Sequence, residues 1–194
     1  MSTYTVLGIT ASTGSEVQSK IANGTTGQVL TATTGALPSF QDASSSGGKL
    51  IQQIYSSTSS LISCTTDMPA DDTIPQNNEG DEVLTATITP TNSSNYLHIT
   101  FTCWESCPLQ NSVVVALFQD STANALAAIE GINGGNQEEV DVLTYRMTAG
   151  TTSSTTFKIR IGTNASTVYV NGINGSRRLG GVSSTTLTIT EIEA

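Results

Sequence analysis

The sequence predicts an all-β protein, an antiparallel β-sandwich or jelly roll behind an extended N-terminal arm, and three observations lead there. From Lys49 onward apolar residues recur with a period of two. Clusters of turn formers cut that pattern into short pieces. Helix formers are scarce, whereas 56 of the 194 residues are Ser or Thr, which disfavours long helices.

In 83–89, Leu84, Ala86 and Ile88 share one face while Val83, Thr85 and Thr87 share the other. In 96–104, Leu97, Ile99, Phe101 and Cys103 alternate with His98, Thr100, Thr102 and Trp104. Phe157, Ile159 and Ile161 alternate with Lys158 and Arg160, and Leu187 and Ile189 with Thr186, Thr188 and Thr190. Successive side chains of a strand point to opposite faces, so this pattern marks half-buried strands. The stretches 49–55, 113–118, 140–147 and 167–171 bring the candidates to at least eight. Turn clusters at 90–95 and 131–136 separate them, the spacing expected of a sandwich or jelly roll.

Residues 1–48 differ. Segments 11–15 and 23–27 are turn formers and 42–48 is a flexible joint. The apolar residues between them, Val17, Ile21, Val29, Leu30, Leu37 and Phe40, are too sparse to close a core. The segment is therefore expected to be an arm and linker that borrows apolar partners, with the head at 49–194.

One strand is apolar on both faces: 113–118 reads Val-Val-Val-Ala-Leu-Phe. An antiparallel sheet ordinarily wets one face, so this strand requires a second cover. A loop, a short helix over 124–130 or an identical subunit would serve, and the subunit is the favoured expectation.

Charge and motifs exclude more than they select. The net charge is −9 and the pI near 4.3, which argues against a nucleic-acid partner. No apolar run reaches the length of about 18 residues needed to span a bilayer, so no membrane insertion is expected. The first ten residues lack a basic segment followed by an apolar stretch, and no secretory leader is expected. Cys64, Cys103 and Cys107 then read as reduced, buried thiols. A zinc site needs four Cys or His ligands, and His98 falls on the opposite strand face from Cys103. A serine hydrolase would depend on that same single imidazole. Asp71, Asp72, Glu79, Asp81 and Glu82 supply carboxylates for glycoside chemistry or an ion in 67–82, but their plain reading is a solvated loop. No enzyme and no cofactor is expected.

Residues 23–41, NGTTGQVLTATTGALPSFQ, resemble the short GTxGQVL…PxFQ element of bacteriophage tail fibres. The stretch 71–76 (DDTIPQ) with Glu79-Gly80 and 88–90 is similar to the adjoining region of such fibre proteins, as is the ending 167–172, 178–181 and 187–192. The resemblance implies a virion protein on the tail or capsid surface, a homotrimer with a C-terminal jelly-roll head of the TNF/C1q type, about 8–10 strands in all. It implies attachment to another virion protein through 1–48 and a host-surface glycan or protein as the head's partner. A capsid decoration or head fibre with a mainly structural role is the alternative. Val114, Ala116 and Phe118 are then expected at the trimer contact. Loops 131–139 and 171–178 are the expected receptor surface, with Asn133, Asn136, Asn174, Arg177 and Arg178, and with Trp104 as a stacking platform.

Overall fold

The computed structural model of the chain describes residues 25, 28–31, 39–42, 48–135 and 137–194. These are strands and turns with one 3-10 turn, Leu179–Gly181, and no α-helix. The chain divides into two units, Met1–Gly47 and Gly48–Ala194. In the first, β1 (Gln28–Thr31) and β2 (Ser39–Asp42) pair antiparallel, with Leu30 opposite Phe40. Leu30 is exposed, and a lone two-stranded hairpin is marginal in water. The rest of the expected arm lies outside the described residues.

The second unit holds β3 (Leu50–Thr58), β4 (Ile62–Cys64), β5 (Asp81–Ile88), β6 (Tyr96–Cys107), β7 (Gln110–Gln119), β8 (Ala127–Gly134) and β9 (Gln137–Thr148). It continues with β10 (Thr155–Thr163), β11 (Val168–Val170), β12 (Gly172–Ile173), β13 (Ser176–Arg177) and β14 (Thr185–Ile192). One sheet runs β5-β10-β7-β8. The other runs β3-β14-β6, with β9 along the free side of β6 and β11-β4 continuing past its far end. All the pairings are antiparallel. Ranked in chain order, the eight principal strands lie 1-8-3-6 in one sheet and 2-7-4-5 in the other. That interleaving is the jelly roll.

The alternation explains the core between the sheets. Leu97, Ile99, Phe101, Leu143, Leu187 and Ile189 come from one sheet, and Val113, Val115, Leu117, Phe157, Ile159 and Ile161 from the other, all fully buried. Each such side chain contributes about 1.5–3 kcal/mol relative to exposure. At β5 the expected faces are only partly kept. The register passes from Leu84 to Glu82 across a bulge, and Val83 is buried as well as Ala86 and Ile88.

The second face of β7 is covered by the chain itself, which corrects the expected subunit contact. Val114, Ala116 and Phe118 are no more than 5% exposed and form a separate cluster with Met68, packed by Ala70 and Ala125. The covering segment 65–79 is tied down at both ends. Asp81 accepts from Thr65 N at 2.6 Å, Thr66 N at 2.9 Å and Thr66 Oγ1 at 2.8 Å. Asn77 N donates to Ala123 O at 2.8 Å and Ala125 N to Pro75 O at 2.9 Å. Gly162 on β10 permits the close approach, since a Cβ there would stand 2.7 Å from Met68 Cβ and 2.8 Å from Thr66 O. The short helix expected over 124–130 is absent: from Ala127 on, this segment is β8, with Ala128 opposite Ala116. Edge pairing to β7 satisfies more backbone groups than a single helical turn would.

Phe118→Ala is expected to cost about 3–5 kcal/mol in denaturant unfolding and to leave the sedimentation coefficient unchanged. A change of assembly state with little loss of stability would contradict this packing.

Candidate functional site

With β7 covered, the outer side of the β3-β14-β6-β9 sheet is a broad open face. Its rows are set by the register. Tyr55, Thr188, Thr100 and Thr144 lie side by side, then Ser57, Thr186, Thr102 and Val142, then Trp104 beside Val140. Tyr55, Val140 and Val142 are 61%, 62% and 51% exposed. Trp104 is half-buried at this edge and not enclosed. The outward positions of these four strands carry few charges: Glu138, Arg146 and His98, the last two adjacent. Arg146 lies 4.1 Å over the Tyr96 ring, a cation–π contact that ties it down. In a chain with 16 acidic residues this face is close to neutral. His98 is exposed here while Cys103 is buried on the inner face, as the alternation requires.

At the end of this sheet stands the β12–β13 hairpin. Its turn is Asn174-Gly175, both with positive φ (47° and 75°), the turn that matches strand twist. The hairpin is anchored by Asn171, a residue sequence reasoning passed over. Asn171 is buried with φ 59°; its Nδ2 donates to Thr58 O and Ser60 O at 3.1 Å each, and its Oδ1 accepts from Thr185 Oγ1 at 3.2 Å. The signal was present, an Asn-Gly pair repeated at 171–172 and 174–175. Beyond the anchor Asn174, Arg177 and Arg178 are exposed. Arg177 folds over Gly181, where a Cβ would stand 2.7 Å from its Nη1. Leu179 is 67% exposed at φ 52° and Val182 is 87% exposed. A bulky residue held at positive φ is strained, and such strain persists where the surroundings enforce it. The 171–182 segment thus presents two guanidinium groups beside two aliphatic side chains.

The expected loop 131–139 is mostly strand, because β8 runs through Gly134 and β9 starts at Gln137. Asn133 lies within β8, and its side chain, like the whole of Asn136, lies outside what the structure describes. The two nominated loops are therefore unlike: one is an anchored hairpin with two exposed arginines at its base, the other the adjoining ends of two strands that belong to different sheets. Asp71 is engaged in its own turn with Thr73, whose backbone N lies 2.8 Å from Asp71 Oδ1, and Asp72 and Glu82 are exposed. The three thiols are free and buried. Burial first, then the charges of Asp81 and Glu105, push the Cys64 thiol up to about 12.

At the opposite end of the sheet Glu191 of β14 ties together three segments, its own strand, β3 and the 90–95 turn. Its carboxylate accepts from Gln52 Nε2 at 2.6 Å, Asn95 Nδ2 at 2.7 Å, and Thr91 N and Oγ1 at 2.8 Å each. Burial alone would raise this carboxyl; the hydrogen bonds from Gln52, Asn95 and Thr91 outweigh it and bring the pKa down to about 2.

Residues 56–194 match the family described as the Pgp3 C-terminal domain. No curated protein matches the sequence. Among solved structures the chain is similar to the Eiger TNF of S. frugiperda, at 9% identity and TM-score 0.45, over 75% of this chain and 96% of that one. It is also similar to the infectious bursal disease virus Gt strain structure, at 13% identity and TM-score 0.41, over 97% and 47% of the two chains. A third likeness is to the enzymatically active domain of the bacteriophage CBA120 tailspike protein 4, at 17% and TM-score 0.28, over 61% and 18%. At these scores the jelly-roll assignment rests on strand order and register. The family matched differs from the phage tail-fibre group that the motifs resemble.

Glu191→Gln is expected to lower stability by about 1.5–3 kcal/mol, the worth of hydrogen bonds to a charged group. The sign with pH is set by a folded pKa of about 2 beneath the unfolded value. The stabilisation is full above pH ~4.5 and lost as pH falls through the folded pKa. Denaturation midpoints of the two proteins should therefore converge between pH 4.5 and 2.

Proposed function

The chain belongs to the Pgp3 C-terminal domain family, and from that premise we propose that it is a homotrimeric attachment protein without catalytic activity. The jelly-roll head faces outward toward a host-surface glycan or protein. Residues 1–48 hold it to another protein of the particle, in the manner of a tail fibre or spike. The observation that carries this reading is the near-neutral outer face of the β3-β14-β6-β9 sheet, with Tyr55, Val140 and Val142 uncovered. Copies of a chain with net charge −9 repel one another. They associate most readily through a face nearly free of acids, and this is that face. The contact moves accordingly from β7, whose outer face is already filled, to β6, β9 and β14.

The receptor surface is the basic pair Arg177 and Arg178 at the base of the β12–β13 hairpin, with Leu179 and Val182 beside it. Guanidinium groups recognise carboxylates bidentately, and the flanking aliphatic groups suit the apolar side of a sugar ring. Asn171, buried at the same base and accepting from Arg178 N, holds this segment in place, which reduces the ordering cost of binding. Trp104 belongs to the sheet face in this reading and not to this segment.

Two measurements test it. Sedimentation of the full chain should report three copies, and Val140→Asp with Val142→Asp should yield folded single copies; an unaltered trimer would remove the proposed contact. On a glycan array the head should retain acidic glycans and lose them, by tenfold or more, on Arg177→Glu with Arg178→Glu. Labelling the protein on intact particles distinguishes tail from capsid, and a capsid position with no glycan binding would favour the decorating role.

A further inference from the structure

Inside the jelly roll, where β8 at the edge of one sheet meets β9 at the edge of the other, the apolar core gives way to acids. The register sets Cys103 opposite Asp141 and Glu105 opposite Glu139. Cys103 points inward, so Asp141, Glu105 and Glu139 point inward with it. Asp141 is only 6% exposed and Glu105 is fully buried. Asp141 Oδ2 and Glu139 Oε2 are buried without a hydrogen-bond partner. The facing strand makes room for them. A Cβ on Gly131 of β8 would stand 3.1 Å from Glu139 Oε2 and 3.3 Å from Asp141 Oδ1, so both carboxylates press against one point of bare backbone.

We infer that Glu139 and Asp141 form a proton-binding site that draws the β8–β9 seam together in mild acid and slackens it as pH rises. A buried carboxylate held this close to a second, half-buried one carries its charge at a cost unless a counterion is present. The groups facing them are Cys103 and Glu105 from β6 and Gly131 from β8. Cys64 of β4 adjoins Cys103 and Glu105, and Arg160 acts on Cys64 but does not enter the surroundings of Asp141. Among the described residues no group of three or more His, Cys, Asp or Glu has an arrangement that could hold a metal ion. A proton is the remaining neutraliser. Taken from solvent onto one carboxylate oxygen, it cancels one charge and creates an O–H donor for the neighbouring carboxylate. Burial, and then the charge of Glu139, support this by raising the Asp141 pKa to about 6.

The sign is opposite to that at Glu191. A folded pKa above the unfolded value of about 3.9 means that the folded state binds the extra proton. The stabilisation is complete below about pH 4 and disappears as pH rises through about 6. Glu191 and Asp81, whose pKa values are lowered, act only in stronger acid. A window between about pH 4.5 and 7.5 is left in which this pair governs.

The test uses the full chain, with melting temperature measured from pH 4.5 to 8 and the Asp141 carboxyl carbon followed by NMR. The wild type should melt lower as pH rises through about 6, with the Asp141 carbon titrating in the same range. Asp141→Asn should abolish that dependence and melt above the wild type at pH 8. If Asp141→Asn does not fold, Glu139→Gln carries the test: removing its charge should move the Asp141 titration to lower pH. Relative to their intrinsic exchange rates at each pH, amides of β8 and β9 should be less protected at pH 8 than at pH 5 in the wild type, while amides of β3 and β14 keep their protection. An Asp141 carbon titrating below pH 4.5, or a wild-type melting temperature level from pH 5 to 8, would overturn the inference. So would calcium raising the wild-type melting temperature at pH 8 but not that of Asp141→Asn, which would make the occupant a metal ion.

Discussion

Every apolar sheet face has to be covered, and the way this chain covers β7 decides the rest of its architecture. A jelly roll has two inner faces, which cover each other, and two outer faces, which ordinarily meet water. Here β7 places Val113, Val115 and Leu117 inward and Val114, Ala116 and Phe118 outward, all buried. The outward set would expose an apolar patch on a molecule otherwise dressed in Ser and Thr. Segment 65–79 lies across it, with Met68 as the plug and Asp81 as the hinge of hydrogen bonds that holds the segment down. With β7 covered, Tyr55, Val140 and Val142 on the opposite side of the head remain uncovered.

Polar anchors do the corresponding work at the ends of the sheets. Loops bury too little apolar surface to hold themselves, so their backbone groups must find fixed partners. Asn171 supplies them beneath the basic hairpin and Glu191 beneath the 90–95 turn. Each is a buried polar side chain whose donors or acceptors are met by backbone, hydroxyl and side-chain amide groups. Such sites are stable because they are satisfied, and they make positions rigid that the apolar core does not reach. The Glu139–Asp141 pair is their counterpart in chemistry: carboxylates buried beside one another instead of beside donors. The three carboxylates Glu191, Asp81 and Asp141 thus respond to pH in two directions, according to whether donors or a like charge stand next to them.

Much of the fold was legible in the alternation of residues. Leu97 to Cys103, Phe157 to Ile161 and Leu187 to Ile189 are strands whose inward faces were readable at once, because period two has a single structural meaning. The demand of 113–118 for a second cover was also legible; what supplied the cover was not. Segment 124–130 looked helical from its alanines, yet Ala127 onward is the edge strand β8, since pairing with β7 outweighs local propensity. Loop 131–139 looked like a turn because of its glycines, one of which, Gly131, serves to admit two carboxylates. Of the expected site residues, Arg177, Arg178 and Asn174 come together on one hairpin. Trp104 lies on the sheet face, and Val114, Ala116 and Phe118 belong to the interior.

By itself the sequence determined most of the principal strands, which of their faces are apolar, and the acidity of the chain. These are local properties, set by side-chain periodicity and composition. Only the tertiary structure decided which surface is hidden and which is left bare, and which carboxylates meet. Those outcomes depend on pairs far apart in the chain, Met68 with Phe118, Asn171 with Thr58, Cys103 with Asp141. No period in the sequence encodes them, because burial and charge proximity are properties of space and not of spacing.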